Sequence, residues 1–296
     1  MKQNMRQKNM QAYLFLSPFL VFITVLYILP AILTVIMAFT SLDSAFIWKF
    51  NGINNFRKIL MDPNTPIIAW NTVKYVGITI FLTVVLDLFF AIMTTYFIRD
   101  ERKGNIFKGI LMIPMITPAV VYSVLWIWLL EATPNGLANK VYMALGGSEP
   151  LNWIAQYPFV IIIAATLLTS IAYGTTVFSS AVKSIPENQF RAARVDGAGE
   201  WEIVRNIILP NLRFHITFIA LWEALGLLTN YVTIMLITNG GPGVQTEVWA
   251  LSAYHKAFSD SQYGYGAAIS LVLIVVVMVL MLVIGAVMHH QEKSRS

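Results

Sequence analysis

The sequence predicts an all-α membrane protein with six transmembrane helices, arranged as one domain over residues 1–296. Two observations predict this fold class. The chain is 57% hydrophobic and 12% charged, whereas a soluble domain carries roughly 25% charged residues. Six apolar runs also recur along the chain, each long enough to cross about 30 Å of hydrocarbon. A third observation bears on function, because one long polar segment, 184–210, separates two of these runs.

The six apolar runs are interpreted as six membrane helices. The first run is too long to be a removed signal peptide and lacks a small-residue cleavage site, so we expect a helix kinked near Pro30. The segment NGINNFRKIL predicts a short helix on the membrane surface in the first outer loop. The glycine-rich turn NGGPG is expected to end the fifth helix. The runs lie at 13–39, 72–98, 109–130, 157–182, 214–237 and 266–288.

The basic residues predict the orientation of the chain in the membrane. Fourteen of the 20 lysines and arginines fall in the N-terminus, the second and fourth connections and the C-terminal tail. By the positive-inside rule, both termini and segment 184–210 are expected to be cytoplasmic. Topology therefore explains the net charge of +5 better than nucleic-acid binding does. These residues are Lys2, Arg6, Lys8, Arg99, Arg102, Lys103, Lys108, Lys183, Arg191, Arg194, Arg205, Arg213, Lys293 and Arg295.

Several kinds of chemistry are missing from the sequence. There are no cysteines, which excludes disulfides and thiol chemistry. No G-x-x-x-x-G-K-[ST] motif is present, so the chain has no phosphate-binding loop for ATP. The adjacent His289 and His290 are interpreted as interfacial residues and not as metal ligands. Any uphill transport must therefore draw energy from a partner or from an ion gradient.

The polar segment is patterned as two short helices around a glycine. Ser184 and Glu187 fit a capping box that starts a helix, which is expected to run through Val195 and stop at Asp196-Gly197. A second helix is expected from about 200 to 208, stopping before Pro210. One apolar face could enter a partner's groove or pack against the chain's own helices, and spacing alone leaves both open. This face consists of Phe190, Ala193, Trp201, Val204 and Ile208.

The stretch RAARVDGAGEWEIVRNIILP, 191–210, resembles the EAA loop of binding-protein-dependent ABC importer permeases. The matching residues are Ala192, Ala193, Asp196, Gly197, Ala198, Ile207, Leu209 and Pro210. Further similarity, in YLFLSPFLVF, GINNFRKILMDP, IPMITPAVV and LITNGGPG, extends over nearly the whole chain and points to the sugar-importer permeases related to the larger maltose-transporter permease.

The resemblance implies a type I importer permease in a bacterial inner membrane. In that family the loop is a coupling helix that sits in a cleft of a cytoplasmic ATPase, which favours the docking interpretation. The family's leading glutamate is Arg191 here, a reversal of charge, so we expect Arg191 to meet an acidic group, or the sister permease to supply the glutamate. The implied coupling residues are Arg191, Ala192, Ala193, Asp196, Gly197, Ala198, Trp201 and Pro210.

Two acidic residues lie inside predicted spans, where ionisable groups are costly and face the bundle interior. For Asp87 a structural hydrogen bond between helices is the favoured interpretation. Glu223, Gly226, Leu227 and Asn230 recur at helical spacing on one stripe, which suggests a cavity lining. By the resemblance this stripe falls on sugar-contacting positions. The implied substrate path consists of Tyr173, Ser170, Glu223, Leu227 and Asn230.

The leading hypothesis is the permease subunit of an ATP-driven importer for a sugar or oligosaccharide. The chain is not expected to be an enzyme or to bind a cofactor, with ATP and Mg on the ATPase. The expected partners are a second permease, two ATPase copies, an extracytoplasmic binding protein, the sugar and the lipid bilayer. The alternatives are an ion-coupled secondary carrier, a permease for glycerol-3-phosphate and, least favoured, a membrane enzyme.

Overall fold

The computed structural model describes residues 2–98 and 100–293, with side chains for 13–98 and 100–286. Over these residues the regular secondary structure is helical, apart from one isolated β-bridge that joins Thr40 and Phe50. Part of the orientation prediction and the interfacial interpretation of the two C-terminal histidines rest on side chains outside the described residues. These are Lys2, Arg6, Lys8, Arg99, His289, His290, Lys293 and Arg295.

Three of the long helices contain a π turn, in which the chain accommodates an extra residue without ending the helix. Helix α1 combines Lys2–Ile23, the π turn Thr24–Ile28 and Leu29–Ala38. The π turn lies immediately before Pro30, where the sequence predicts a kink. The other helices are α2 (Asn54–Met61), α3 (Thr65–Ile92 with the π turn Met93–Phe97), α4 (Glu101–Ile116), α5 (Ala119–Leu129), α6 (Leu137–Ala144), α7 (Trp153–Gln156), α8 (Pro158–Lys183), α9 (Glu187–Val195), α10 (Glu200–Ile203, the π turn Val204–Ile208 and Leu209–Thr229), α11 (Val232–Ile237), α12 (Trp249–Tyr254 with the π turn His255–Ser259) and α13 (Tyr263–Lys293).

The described chain divides into two compact units. The first comprises the chain up to Asp62 together with Ser252–Val275. It contains the predicted surface helix, α2, which is held by the buried side chain of Asn55. The amide nitrogen of Asn55 donates to the carbonyl oxygens of Ala38 at 2.9 Å and Thr40 at 2.8 Å, tying α2 to the end of α1.

The second unit comprises Pro63–Leu251 and the chain from Val276. Its centre is the packing of α3 against α8 and α10. One face of α3 presents polar side chains four residues apart, which stack along the helix axis. All four are fully buried, and the Tyr75 hydroxyl lies 3.1 Å from the hydroxyl of Thr166 on α8. The four are Tyr75, Thr79, Thr83 and Asp87.

Asp87 makes the most specific contact between α3 and α8. One carboxylate oxygen, Oδ1, accepts from the backbone N–H of Thr175 at 2.9 Å and from its hydroxyl at 3.0 Å. Gly174 provides the space for the carboxylate, since a Cβ at that position would overlap Asp87 Oδ2. These contacts favour the structural interpretation of Asp87, because a side chain that joins two helices in this way fixes their register.

The third of the six predicted membrane helices is bent in the structure. Five helices are long and apolar enough to cross a membrane, at Tyr13–Ala38, Thr65–Phe97, Pro158–Lys183, Glu200–Thr229 and Tyr263–Ala286. The third run instead forms α4 and α5, which meet at 96° across a break at Thr117 and Pro118. Pro118 disfavours helical backbone at the residue before it, and Thr117 is extended with ψ of 129°. The number of spans is six only if this bent pair is one span.

The fifth run also differs from the prediction of a helix over 214–237. Helix α10 begins at Glu200 and ends at Thr229, with Asn230 extended at ψ of 117°. The chain resumes as the short α11, Val232–Ile237. The turn expected at NGGPG is confirmed, since Asn239 and Gly240 both have positive φ, at 49° and 83°.

Candidate functional site

Segment 184–210 begins with a sharp turn out of α8. The predicted capping box at Ser184 is wrong, because Ser184 is the C-terminal cap of α8 and its hydroxyl donates to the Ala181 carbonyl at 2.7 Å. Helix α9 starts at Glu187, directly after Pro186, whose ψ of 130° is extended. The residue that caps the start of α9 is Pro186, which makes no side-chain hydrogen bond to the first turn.

The end of α9 follows the prediction. Helix α9 stops at Val195, and Gly197 reverses the chain with φ of +82°, a conformation that glycine adopts without strain. The kind of glutamate cap that was expected for α9 occurs instead at the start of α10. There the carboxylate of Glu202 accepts from the backbone N–H of Gly199 at 2.9 Å. The turn between α9 and α10 is therefore fixed at its start by the conformation of Gly197 and at its end by the hydrogen bond from Gly199 to Glu202.

The predicted stop before Pro210 is wrong. Helix α10 passes through Pro210, and the π turn Val204–Ile208 lies just before it. Proline lacks an N–H and clashes with the carbonyl four residues earlier. A π turn shifts the hydrogen bonds to five residues, which lets the helix continue. As a result, the segment that follows Gly197 and the fifth span form one continuous helix.

The apolar face expected to enter a partner's groove is mostly used within the chain. Phe190, Val204 and Ile208 are buried in one hydrophobic cluster with residues of α3 and α8, and Ala193 packs against it. Only Trp201 of the predicted face is exposed, at 72%. For these four buried or packed positions, self-packing is therefore the correct alternative of the two that the spacing left open.

A different set of residues faces outward. Val195 is 86% exposed at the end of α9, close to Gly197 and Trp201 in the chain. Arg191 is exposed, and its Nε lies 3.8 Å from the carboxylate of Glu187 one turn earlier. The other implied coupling residues divide in the same way. Ala192, Asp196, Gly197 and Pro210 are exposed, whereas Ala193 and Ala198 are half-buried.

Tyr96, in the π turn that ends α3, contacts both helices of this segment, α9 and α10. Its ring stacks on that of Phe190 in α9, with centroids 5.7 Å apart and an interplanar angle of 29°. Its hydroxyl donates to the carboxylate of Glu200 at the start of α10. Arg194 of α9 donates to the same hydroxyl at 3.4 Å, and this bond raises the pKa of the guanidinium above its usual range. Arg194 Nε also lies 4.0 Å from Glu200.

The implied substrate-path residues lie where α8 and α10 meet, but they do not share one face. The Ser170 side chain lies beside the carboxylate of Glu223. Glu223 is also close enough to Asp87 and Tyr75 of α3 to interact with them electrostatically. Leu227 is buried beside it. Asn230 is half-buried, and its side-chain oxygen accepts from the Val232 N–H at 3.2 Å.

Tyr173 belongs to the more open side of the same junction. Its ring centroid is 5.9 Å from that of Trp222, which is 56% exposed. Gly226 lies one turn beyond Trp222, and a Cβ there would have no atom within 4 Å. This arrangement leaves an aromatic pair beside open space, next to the half-buried Ser170 and the buried Glu223. Such a site can bind a ring-shaped ligand, with the apolar face of the ligand against the aromatic pair and its hydroxyl groups hydrogen-bonded to the polar side chains.

The sequence did not single out Tyr96 or Trp222. Tyr96 sits inside an apolar run, and its partners are about 100 residues away in the chain. Trp222 resembles any aromatic residue of a membrane span, although its position directly before Glu223 could have marked it. Among the described side chains, no group of three or more His, Cys, Asp or Glu is placed to hold a metal ion.

Comparison with known proteins agrees with this architecture. The chain is 27% identical to the trehalose/maltose transport system permease protein MalF of Thermococcus litoralis, over 87% of this chain and 86% of that protein. It is 26% identical to the arabinooligosaccharides transport system permease protein AraP of Bacillus subtilis, over 88% and 83%. A chain in the crystal structure of a bacterial ABC transporter involved in alginate import matches the fold with a TM-score of 0.84 at 17% identity, covering 96% of each chain.

The family itself follows from a sequence model that spans most of the chain. The model described as "Binding-protein-dependent transport system inner membrane component" matches residues 87–296, which include α8, segment 184–210 and α10. The matched part contains both the turn at Gly197 and the junction of α8 and α10 described above. The chain therefore belongs to the binding-protein-dependent inner membrane components, and it is a membrane-embedded permease subunit of an ABC importer and not an enzyme.

Proposed function

We propose that this permease imports a sugar or an oligosaccharide, and that segment 184–210 couples it to a cytoplasmic ATPase. Arg191, Val195 and Trp201 would meet the ATPase, while Tyr173, Ser170, Glu223, Leu227 and Asn230 would border the solute path together with Trp222.

The docking part of the proposal rests on α9 and the first turn of α10, which have one buried face and one exposed face. One face is fixed in the core of the chain by Phe190, Val204 and Ile208. The opposite face leaves Val195 and Trp201 exposed beside charged residues. Exposed apolar groups on a short helix are typical of a surface that enters a partner's groove. The family resemblance supports an ATPase as that partner.

The chemistry between α8 and α10 supports a carbohydrate. Sugars expose apolar ring faces and hydroxyl edges, which suit an aromatic pair such as Tyr173 and Trp222 next to polar groups such as Glu223 and Asn230. Two of the relatives are named for trehalose and maltose and for arabino-oligosaccharides. No lysine or arginine lies among these residues, which disfavours glycerol-3-phosphate because phosphate sites use basic side chains.

The transporter would need further subunits. The chain has no phosphate-binding loop, so ATP and Mg would bind to two ATPase copies. A second permease would supply the other half of the path, and an extracytoplasmic binding protein would deliver the solute. A neighbouring solved structure is described as an alginate ABC transporter in complex with a pentasaccharide-bound periplasmic protein, which is an assembly of this kind.

Co-expression with candidate ATPase and permease subunits tests this function. The complex is reconstituted in proteoliposomes with the binding protein, and uptake of maltose, trehalose and an arabino-oligosaccharide is measured with ATP, with a non-hydrolysable ATP analogue and with an ionophore. ATP-dependent uptake that survives the ionophore supports an ATP-driven importer. Uptake that needs an ion gradient but no ATP would establish the secondary carrier instead.

A further inference from the structure

Tyr96 occupies the one turn of α3 that departs from regular α-helix, the π turn Met93–Phe97. π turns re-aim the side chains that follow them and are frequent at functional sites. Here the turn places the Tyr96 ring over Phe190 and its hydroxyl against Glu200. The side chain thus contacts α9 through its ring and α10 through its hydroxyl.

The hydroxyl of Tyr96 and the side chains of Arg194 and Glu200 each contact the other two. Tyr96 donates to Glu200, while Arg194 donates to Tyr96 and also lies 4.0 Å from Glu200. Each of these residues lies near the end of a different element, since Tyr96 is in the last turn of α3, Arg194 is in the last turn of α9 and Glu200 begins α10. A rotation of α9 that kept its ring packing would have to break these polar contacts.

The buried cluster beneath Tyr96 holds the same elements but constrains them differently. Ala91 and Ile92 of α3, Phe190 of α9 and Ile203 and Ile208 of α10 pack there. Apolar packing keeps the elements together but is not directional. Hydrogen bonds have preferred angles, so the Tyr96 contacts define the orientation of α9 as well as its distance.

We propose that Tyr96 is a positioning residue for energy coupling. Its hydroxyl fixes the orientation of α9 relative to α3 and α10, so that a displacement of α9 by a partner passes to both membrane helices. This inference rests on the proposed function, in which the partner is the ATPase. Without the hydroxyl, α9 keeps its place through Phe190, but its rotation is no longer passed on fully.

The test uses the assembled transporter in proteoliposomes and needs no solute. The chain has no cysteine, so Thr229→Cys provides a single thiol at the end of α10, at an exposed position. The rate at which this thiol reacts with a membrane-impermeant maleimide is measured without nucleotide and after trapping with Mg-ATP and vanadate. Nucleotide trapped per complex is measured in the same samples.

Tyr96→Phe keeps the ring and removes the hydroxyl. It is expected to retain wild-type assembly and nucleotide trapping, while the nucleotide-dependent change in labelling rate falls by about tenfold, as for the loss of one hydrogen bond to a charged group. Glu200→Ala should reproduce this loss, and the double variant should be no worse than either. Tyr157→Phe is the matched control, because Tyr157 is an exposed tyrosine outside this set.

Three results would overturn the inference. The first is a wild-type labelling change in Tyr96→Phe, and the second is an additive loss in the double variant. The third is a loss of the ATPase itself from Tyr96→Phe complexes, which would make Tyr96 part of the docking surface. Failure of the proposed function looks different, since the unsubstituted chain would then bind no ATPase and its thiol would not respond to nucleotide.

Discussion

Gly174 allows α3 and α8 to approach at the level of Asp87, and Gly174→Ala tests that contact. A Cβ at this position would lie 2.5 Å from Cγ and 3.2 Å from Cβ of Asp87, and would overlap its Oδ2. Carbon atoms pack at about 3.5–4.0 Å. The two helices would therefore have to separate by about 1 Å, which strains the two hydrogen bonds from Thr175 to Asp87.

The expected cost is a sum of three effects. Overpacking a tight contact costs about 1–3 kcal/mol, and weakened hydrogen bonds between membrane helices add about 0.6–1.7 kcal/mol. Replacing a helical glycine by alanine returns about 0.5–1 kcal/mol. The net expectation is a loss of about 1–4 kcal/mol. Gly77→Ala is the matched control in α3, where a Cβ meets no atom within 4 Å, and it should be neutral or stabilising.

The free energy of unfolding is measured in mixed detergent micelles by far-ultraviolet circular dichroism. Asp87→Ala alone should cost about 1–3 kcal/mol, because the Thr175 donors lose their acceptor. The double variant Asp87→Ala/Gly174→Ala should cost less than the sum of the two, since the shortened side chain removes the overlap. Additive losses, or a Gly174→Ala variant as stable as Gly77→Ala, would refute the reasoning.

Three further substitutions address function. Glu223→Gln should lower kcat/KM for uptake by about tenfold or more, because a carboxylate forms stronger hydrogen bonds than an amide; unchanged uptake and solute choice would remove Glu223 from the path. Arg191→Glu should change stability by less than about 0.5 kcal/mol, since its pair with Glu187 is exposed, and it should weaken ATPase co-purification; improved assembly would exclude an acidic partner. Val195→Asp should reduce co-purification without a change in unfolding midpoint, while Val141→Asp, the same change in α6, should not; equal effects would contradict docking through Val195.

Hydropathy predicted the membrane helices well, but it did not predict which prolines end a helix. Pro118 lies inside the third apolar run and Pro210 lies just before the fifth, and the sequence predicts a break at the second proline only. In the structure Pro118 separates α4 from α5, whereas Pro210 lies inside α10 behind a π turn. Whether a proline ends a helix depends on the hydrogen-bond pattern of the preceding turn, and periodicity does not report that pattern.

The candidate site was predictable where it is local in sequence. The stop at Gly197 follows from glycine's access to positive φ, and the segment's motif lies within 20 residues. The hydrogen bond of Tyr96 with Glu200 and the electrostatic interaction of Glu223 with Asp87 join residues more than 100 positions apart, and hydrophobic spacing contains no information on such pairs. The burial of Phe190 was open for the same reason, because its partners belong to α3 and α8.

The passage of α10 through Pro210 has a mechanical consequence. Helix Glu200–Thr229 has 30 residues, so it is about 45 Å long at 1.5 Å per residue. A tilt of about 5° at the end nearest Gly197 would move its far end by about 4 Å, roughly three-quarters of the rise of one helical turn. Under the proposed function, a small displacement beside the proposed ATPase surface would thus become a displacement of about 4 Å near Trp222 and Asn230.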